Sequence, residues 1–344
     1  MTGTIFAILG LDGLSNGAIY ALVAVALVLV FSVTRVIFIP QGELVAFGAL
    51  TMAILQTGKI PGTVWLVLLL AAWATVLDVL QSRREKWDGV RLTHQIVSTV
   101  WLPLLAAFLA IVFARTKPHA VIQALMAVAL VTPMGALLYR LAYRSVASSS
   151  VLVLLIVSVG VHFALTGLGL LFFGAEGFRT TSFWDEKFKF DTLLVKGQTL
   201  IIFIVAALLM VALFSYFRTL GGKALQATAV NRTGARLMGI STDAAGSSSF
   251  TLAALIGALS GVLVGPNTTL YYDSGFLIGL KGFVAAVFAG LTSFPLALVG
   301  AIGVGLIESF GSFWASAFKE VIVFTVILPV LLWRSFVDPH DEEH

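Results

Sequence analysis

The sequence predicts an all-α polytopic membrane protein with about ten transmembrane or re-entrant helices, and three observations predict it. Of 344 residues, 59% are hydrophobic and 11% charged, with a mean hydropathy of +1.03. A soluble domain carries about 25% charged residues, and no single core could hide this much apolar surface. Charge is also absent from seven long stretches: Asp12 to Arg35, Arg91 to Arg115, Lys117 to Arg140, Arg144 to Glu176, Lys196 to Arg218, Asp243 to Asp273, and Lys281 to Glu308. Each gap accommodates a helix of about 20 residues, enough to cross a hydrocarbon layer of about 30 Å. Finally, the segments are apolar on every face, whereas a membrane β-strand alternates over about ten positions.

The first segment, Gly13–Thr34, follows a stretch (Met1–Leu11) that lacks a basic region, so it is expected to act as a signal anchor rather than a cleaved signal peptide. Then come Leu44–Thr57, Val64–Leu77, Ile96–Ala114, His119–Leu138, Val151–Phe173 and Thr199–Phe217. The last group is Ser247–Gly265, Phe276–Gly290, Leu296–Glu308 running to about Phe313, and Val321–Trp333. Three basic loops set the topology: Arg83, Arg84, Lys86 and Arg91; Arg140 and Arg144; Arg218, Lys223, Arg232 and Arg236. Such loops face the cytoplasm, which places the N-terminus outside and the C-terminus inside. The opposite side carries Lys59, Arg115, Lys117 and the charge-balanced, aromatic loop Glu176–Lys196, expected to lie at the outer interface. The net charge of +4 follows from the basic loops and calls for no nucleic acid. The partner it does require is a lipid bilayer.

Two regions depart from plain membrane helices, Thr34–Gly48 and Tyr271–Gly300, each mixing Gly, Pro and an ionisable residue into apolar sequence. Broken helices at membrane depth are tolerated where they are buried in protein or line a wet cavity. One such segment in each half of a chain points to a transport site. Glu43 follows Pro40, Gln41 and Gly42, and two roles are open to it. It is either a gate or cap facing a translocation path, or an interfacial carboxylate favoured by a helix N-terminus. Lys281 and Glu308 either pair across neighbouring segments or snorkel separately to the interface.

The absence of cysteine excludes disulfides and thiolate metal sites. His94, His119 and His162 are scattered and show no ligand-like partners, so no metal is expected. No phosphate-binding loop of the G-x-x-x-x-G-K-[ST] type occurs, so the chain is not expected to bind ATP, and nothing suggests catalysis. The amphipathic stretch Lys223–Asp243 is too polar to span. It reads as a solvated loop or as a short docking helix, with Ala227, Val230, Leu237 and Met238 facing a partner and Arg232 and Arg236 at the rim.

Four stretches carry a resemblance: Asn16-Gly17-Ala18-Ile19-Tyr20-Ala21-Leu22; Gly42-Glu43 with Gly48-Ala49; Ala235-Arg236-Leu237-Met238-Gly239-Ile240; and Gly279-Leu280-Lys281-Gly282-Phe283 through Ala289-Gly290 to Glu308-Ser309. In these the chain resembles the permeases of branched-chain amino acid ABC importers of the Liv type, in particular the smaller of the two permease subunits, over about residues 13–57 and 118–333. The resemblance implies an ABC importer permease fold without a cofactor of its own. It implies a second permease subunit as homo- or heterodimer, two cytoplasmic ATPase subunits that bind the ATP, and a periplasmic substrate-binding protein. Asn231, Arg232, Ala235, Arg236, Leu237, Met238, Gly239 and Ile240 would form the coupling segment. Asn16, Tyr20, Gln41, Gly42, Glu43, Lys281, Phe283 and Glu308 would line the translocation path in the bacterial inner membrane. Two departures stand out. Phe38-Ile39-Pro40-Gln41-Gly42-Glu43 replaces the family's Asn-Phe-Ala-His-Gly-Glu, which opens the substrate to aromatic acids or other amides, and residues 60–115 read as an inserted helical pair. The competing expectation is an ion-coupled secondary transporter, which would need more intramembrane carboxylates than Glu43 and Glu308.

Overall fold

The computed structural model describes residues 3–85, 89–190, 193–326, 328–330 and 332. The chain runs α1 (Gly3–Thr34), α2 (Gln41–Thr57), α3 (Gly62–Glu85), α4 (Gly89–Ala114), α5 (Ala120–Leu138) and α6 (Val151–Phe173). A short hairpin, β1 (Lys187–Phe190) and β2 (Leu193–Lys196), precedes α7 (Gly197–Phe217), α8 (Leu220–Val230) and α9 (Arg232–Leu237). The chain continues through α10 (Thr242–Val264), α11 (Ser274–Phe288), α12 (Phe294–Trp314) and α13 (Lys319–Thr325). Among the described residues eight helices are long and apolar enough to cross a membrane. The expected total of about ten is reached by adding α2 and α11, which at 17 and 15 residues are shorter than a full crossing. The eleventh segment, Val321–Trp333, overlaps α13 over Val321–Thr325, and residues 328–330 and 332 are also helical. Trp333, the C-terminal residues 334–344 and Lys86 of the basic loop lie outside the described residues.

The bundle is built around α1. Every residue from Ile19 to Val30 is buried, and 83% of its most apolar stretch is covered by protein, against 22% for α4, α6 and α7. A helix that is apolar all round can face lipid or protein. Here the first helix is the core, and the later ones supply the lipid-facing wall. Small residues let α12 come close: a Cβ on Gly305 would lie 2.3 Å from the carbonyl oxygen of Gly13 and 2.6 Å from Cα of Gly17. Packing of this kind drives helix association in bilayers, where lipid offers no hydrophobic gain.

Each of the two irregular regions contains a break between helices, and the second also contains the whole of α11. α1 stops at Thr34, where Arg35 takes a left-handed φ of 60°, and α2 restarts after Pro40. α11 stops at Phe288, and Gly290 and Leu291 take φ of 63° and 60° before α12. The hydroxyl of Ser32 donates to Leu291 O at 3.3 Å, tying the two breaks together. The loop Glu176–Lys196, expected to lie at the interface, is pinned across helix ends. Phe178 and Leu270 exchange backbone bonds of 2.9 and 2.8 Å. Thr181 N donates to Gln56 Oε1 at 3.0 Å, and Arg179 Nε donates to Pro266 O at 2.9 Å. Helix ends leave carbonyls without partners, and this loop supplies donors to them. The antiparallel hairpin within it was not foreseen from the sequence.

Candidate functional site

Two buried polar clusters and one exposed segment gather the residues singled out above. The first cluster is at the start of α2. Glu43 is fully buried, which removes the interfacial reading, and its Oε1 is 2.8 Å from Nδ1 of His162 on α6. The imidazole in turn stacks on Phe276 of α11, ring centres 4.8 Å apart. His162 therefore pairs with a carboxylate, a partner that the sequence reading, concerned only with metal ligands, did not identify. A polar residue in the middle of a long charge-free stretch was the signal: burying an isolated carboxylate is costly, and α6 carries the group that offsets it. Glu43 Oε2 has no hydrogen-bond partner. Beside it, Gln41 donates from Nε2 to Ala253 O at 2.9 Å, joining α2 to α10.

The two irregular regions meet at this cluster. Gly42 and Gly275 lie backbone on backbone: a Cβ on Gly42 would sit 2.0 Å from Gly275 O, and one on Gly275 2.4 Å from Gly42 O. No side chain fits between the start of α2 and the start of α11, so Glu43 and Phe276 are brought to the same place by two helices that both begin there.

The second cluster joins α1, α11 and α12. Lys281 Nζ is 2.5 Å from Glu308 Oε1, and the Tyr20 hydroxyl donates to Glu308 Oε2 at 2.5 Å. Glu320, just inside α13, lies 3.1 Å from the same ammonium. Lys281 and Glu308 are buried, so the paired reading holds and neither snorkels. Glu308 and Asn16 also border a polar cavity of about 430 Å³ that includes Asp12, Lys196 and Lys319. Phe283 is partly buried and packs on the main core; it belongs to neither cluster.

The exposed segment lies at the opposite end of α1 from Glu308. There α8 packs under Leu29 and Val33 through Leu225. What was read as one amphipathic stretch is two short helices, α8 and α9, each closed by its own cap. Thr219 accepts from Gly222 N, and Asn231 Oδ1 accepts from Gly234 N at 2.8 Å. Caps of this type hold a short helix that propensity alone would not. Leu237 is 84% exposed and Met238 82%. Ala235 is buried and serves the packing. Arg232 turns inward, donating from Nη1 to Ala147 O at 2.7 Å, and Arg236 Nε donates to Thr242 Oγ1 at 2.9 Å. Gly239 closes the segment at φ 80°, a conformation glycine adopts without strain. Ala227 and Met238 border a groove of about 510 Å³ between the two helices. The segment is thus a short capped helix, not an irregular loop, and it leaves large apolar side chains exposed at the basic end of the bundle.

Among the described residues no group of three or more metal-ligating side chains forms.

A central helix wrapped by others, two broken segments meeting at buried polar groups, and an exposed capped helix at the basic end define a membrane permease component. The chain belongs to the family described as branched-chain amino acid transport system / permease component, whose model matches residues 96–331. It is 26% identical to the high-affinity branched-chain amino acid transport system permease protein LivH of Escherichia coli K12 and to that of Salmonella typhimurium, over 93% of this chain and 91% of theirs. It is 25% identical to the corresponding protein BraD of Pseudomonas aeruginosa, over 94% of this chain and 92% of that one. No solved structure matches the chain at a significant level.

Proposed function

We propose that this chain is the membrane-spanning permease subunit of an ATP-driven importer. It would carry branched-chain or other hydrophobic amino acids, or related small organic acids, across the bacterial inner membrane. The observation that carries the reading is the capped α8–α9 pair with Leu237 and Met238 exposed at the basic end. This is a built contact surface for a cytoplasmic partner in a chain that has no phosphate-binding loop of its own. Two ATPase subunits would bind the ATP and seat on this surface, a second copy or a second permease subunit would complete the path, and a periplasmic binding protein would deliver the substrate. The N-terminus is then periplasmic and the C-terminus cytoplasmic. Family membership and the names of the relatives support the substrate class.

In this reading α2 and α11 begin at the path and are held there by Gly42 and Gly275. Glu43 and His162 provide its polar lining, and Lys281, Glu308 and Tyr20 fix α11 to the core on its other side. Alternating access works by rocking of rigid helices about such broken segments.

The test is reconstitution of the assembled transporter in liposomes, with uptake of labelled leucine and ATP hydrolysis measured together. Leu237→Glu is expected to leave insertion intact, abolish uptake and disconnect hydrolysis from transport. Gly239 is a poorer target, because any side chain there is strained by its φ. Normal uptake and normal stimulated hydrolysis in Leu237→Glu would remove the α9 segment from the mechanism.

A further inference from the structure

Helices α3 and α4, which the sequence reads as an inserted pair, are fastened to α9 by ionic and hydrogen-bonded links that the function above leaves unused. Asp78, on α3, is 1% exposed, and its Oδ1 lies 2.5 Å from Arg140 Nη2. Arg140 also bonds Thr99 of α4 through Nη1, so one guanidinium holds both helices of the pair. Arg140 belongs to a π-helical turn, Tyr139–Tyr143, that ends α5. Single π-turns are uncommon and concentrate at functional sites.

Beyond the turn the same short segment reaches two more elements. Arg144 Nε is 3.3 Å from Asp243 Oδ2, in the first turn of α10. The carbonyl oxygen of Ala147 accepts from Arg232 Nη1 of α9 at 2.7 Å. Residues 139–147 thus touch α3, α4, α9 and α10. At its other end, α3 is bonded to α2 through the hydroxyls of Thr63 and Thr51, both fully buried. α2 is the helix that carries Glu43. The chain of contacts therefore runs from α9 through residues 139–147 to Asp78, along α3, and back to α2.

A buried ion pair is a poor source of net stability, because desolvation offsets the attraction. A hydrophobic pair of the same size would hold α3 against α5 as well. What charge adds is a fixed relative position: the bond is directional and its loss leaves a buried charge alone.

We infer that residues 139–147 are the joint through which movement of the docking helix α9 is passed to the inserted pair and on to α2, with Arg140 as the positioning residue. The inference rests on α9 being the surface that receives the ATPase. It gives the inserted pair a function: α3 is a lever, whose seat is Arg140 and whose far end is Thr63.

The experiment uses the full transporter in liposomes and reads leucine uptake per ATP hydrolysed. Arg140→Gln and Asp78→Asn are expected to lower that ratio about tenfold, within the range of coupling between distant sites, with stimulated hydrolysis retained. Arg140→Lys, which keeps the charge, is expected to retain most of it, as is the exchanged pair Asp78→Arg with Arg140→Asp. Unchanged ratios in Arg140→Gln and Asp78→Asn, in a preparation where Leu237→Glu uncouples, overturn the joint alone. Unchanged coupling in Leu237→Glu instead removes the reading on which it rests.

A second measurement keeps all native charges. The chain has no cysteine, so spin labels at Leu80→Cys on α3 and Thr233→Cys on α9, both exposed, are unique within it. Their separation is expected to stay the same between the nucleotide-free and vanadate-trapped transporter, because the two helices move as one body. A shift in that distance on trapping overturns the proposal, whether or not the Arg140 variants fold.

Discussion

At the scale of single residues, the charges inside apolar sequence were the legible part. Glu43, Lys281 and Glu308 stand out because a lone charge in a membrane helix is expensive, and each is found buried with a partner. The partners were harder to read. Tyr20 and His162 are residues that cores accept on ordinary grounds, and Tyr20 lies 288 positions from the carboxylate it donates to. Pairing over such distances is set by packing, not by spacing. The energetics give a test. Lys281→Met leaves Glu308 buried with only the Tyr20 hydroxyl, and breaking a buried pair from one side costs about 3–5 kcal/mol. The double change Lys281→Met with Glu308→Leu removes both charges and is expected to cost less than Lys281→Met alone. Thermal unfolding in detergent measures both. A double variant no more stable than the single one would show that the pair is not what holds α11 to α12.

Among the elements, the long helices were readable from charge-free length, and their ends were less so. α1 begins at Gly3 and not near Gly13, because Asp12 is exposed and a charge that reaches water does not interrupt a helix. α3 runs past Leu77 to Glu85 because Asp78, although buried, is paired with Arg140, and Arg83 is exposed. The breaks at Arg35–Pro40 and Gly290–Leu291 were marked by Gly, Pro and charge. That the starts of α2 and α11 meet at Gly42 and Gly275 was not legible, since it depends on those two helices lying side by side. The meeting point makes a prediction. Gly42→Val places carbon within the backbone of Gly275, and overpacking costs about 1–3 kcal/mol or more where the neighbour cannot yield. Backbone cannot, so loss of uptake together with a lowered melting temperature is expected. Gly303→Val on α12, with open space at its Cβ position, is the control and is expected to behave as wild type. Full uptake by Gly42→Val would mean that the two helices separate during transport.

For the whole molecule, the basic residues Arg140, Arg144, Arg232 and Arg236 fall on one end, with α8 and α9. The pinned loop 176–196 falls on the other. The proposed orientation, with the basic end in the cytoplasm, follows the positive-inside rule. Single-cysteine labelling reads it directly, because the native chain has none. Leu237→Cys is expected to react with a membrane-impermeant maleimide only after permeabilisation, and Lys189→Cys in intact spheroplasts. The reverse pattern would invert the topology and move the docking helix to the wrong compartment for an ATPase.

The central place of α1 has a consequence for biogenesis. An early helix is bonded to one made much later: Ser309 of α12 reaches Leu9 of α1 across 300 positions. At about 5–20 residues per second of synthesis, roughly 15–60 s pass before α12 emerges. Until then the glycine stripe of α1 faces lipid or the insertion machinery, waiting. A ribosome stalled before residue 294 would leave that seam without its partner helix. Closure of the seam between α1 and α12 is therefore a late step in assembly of the bundle.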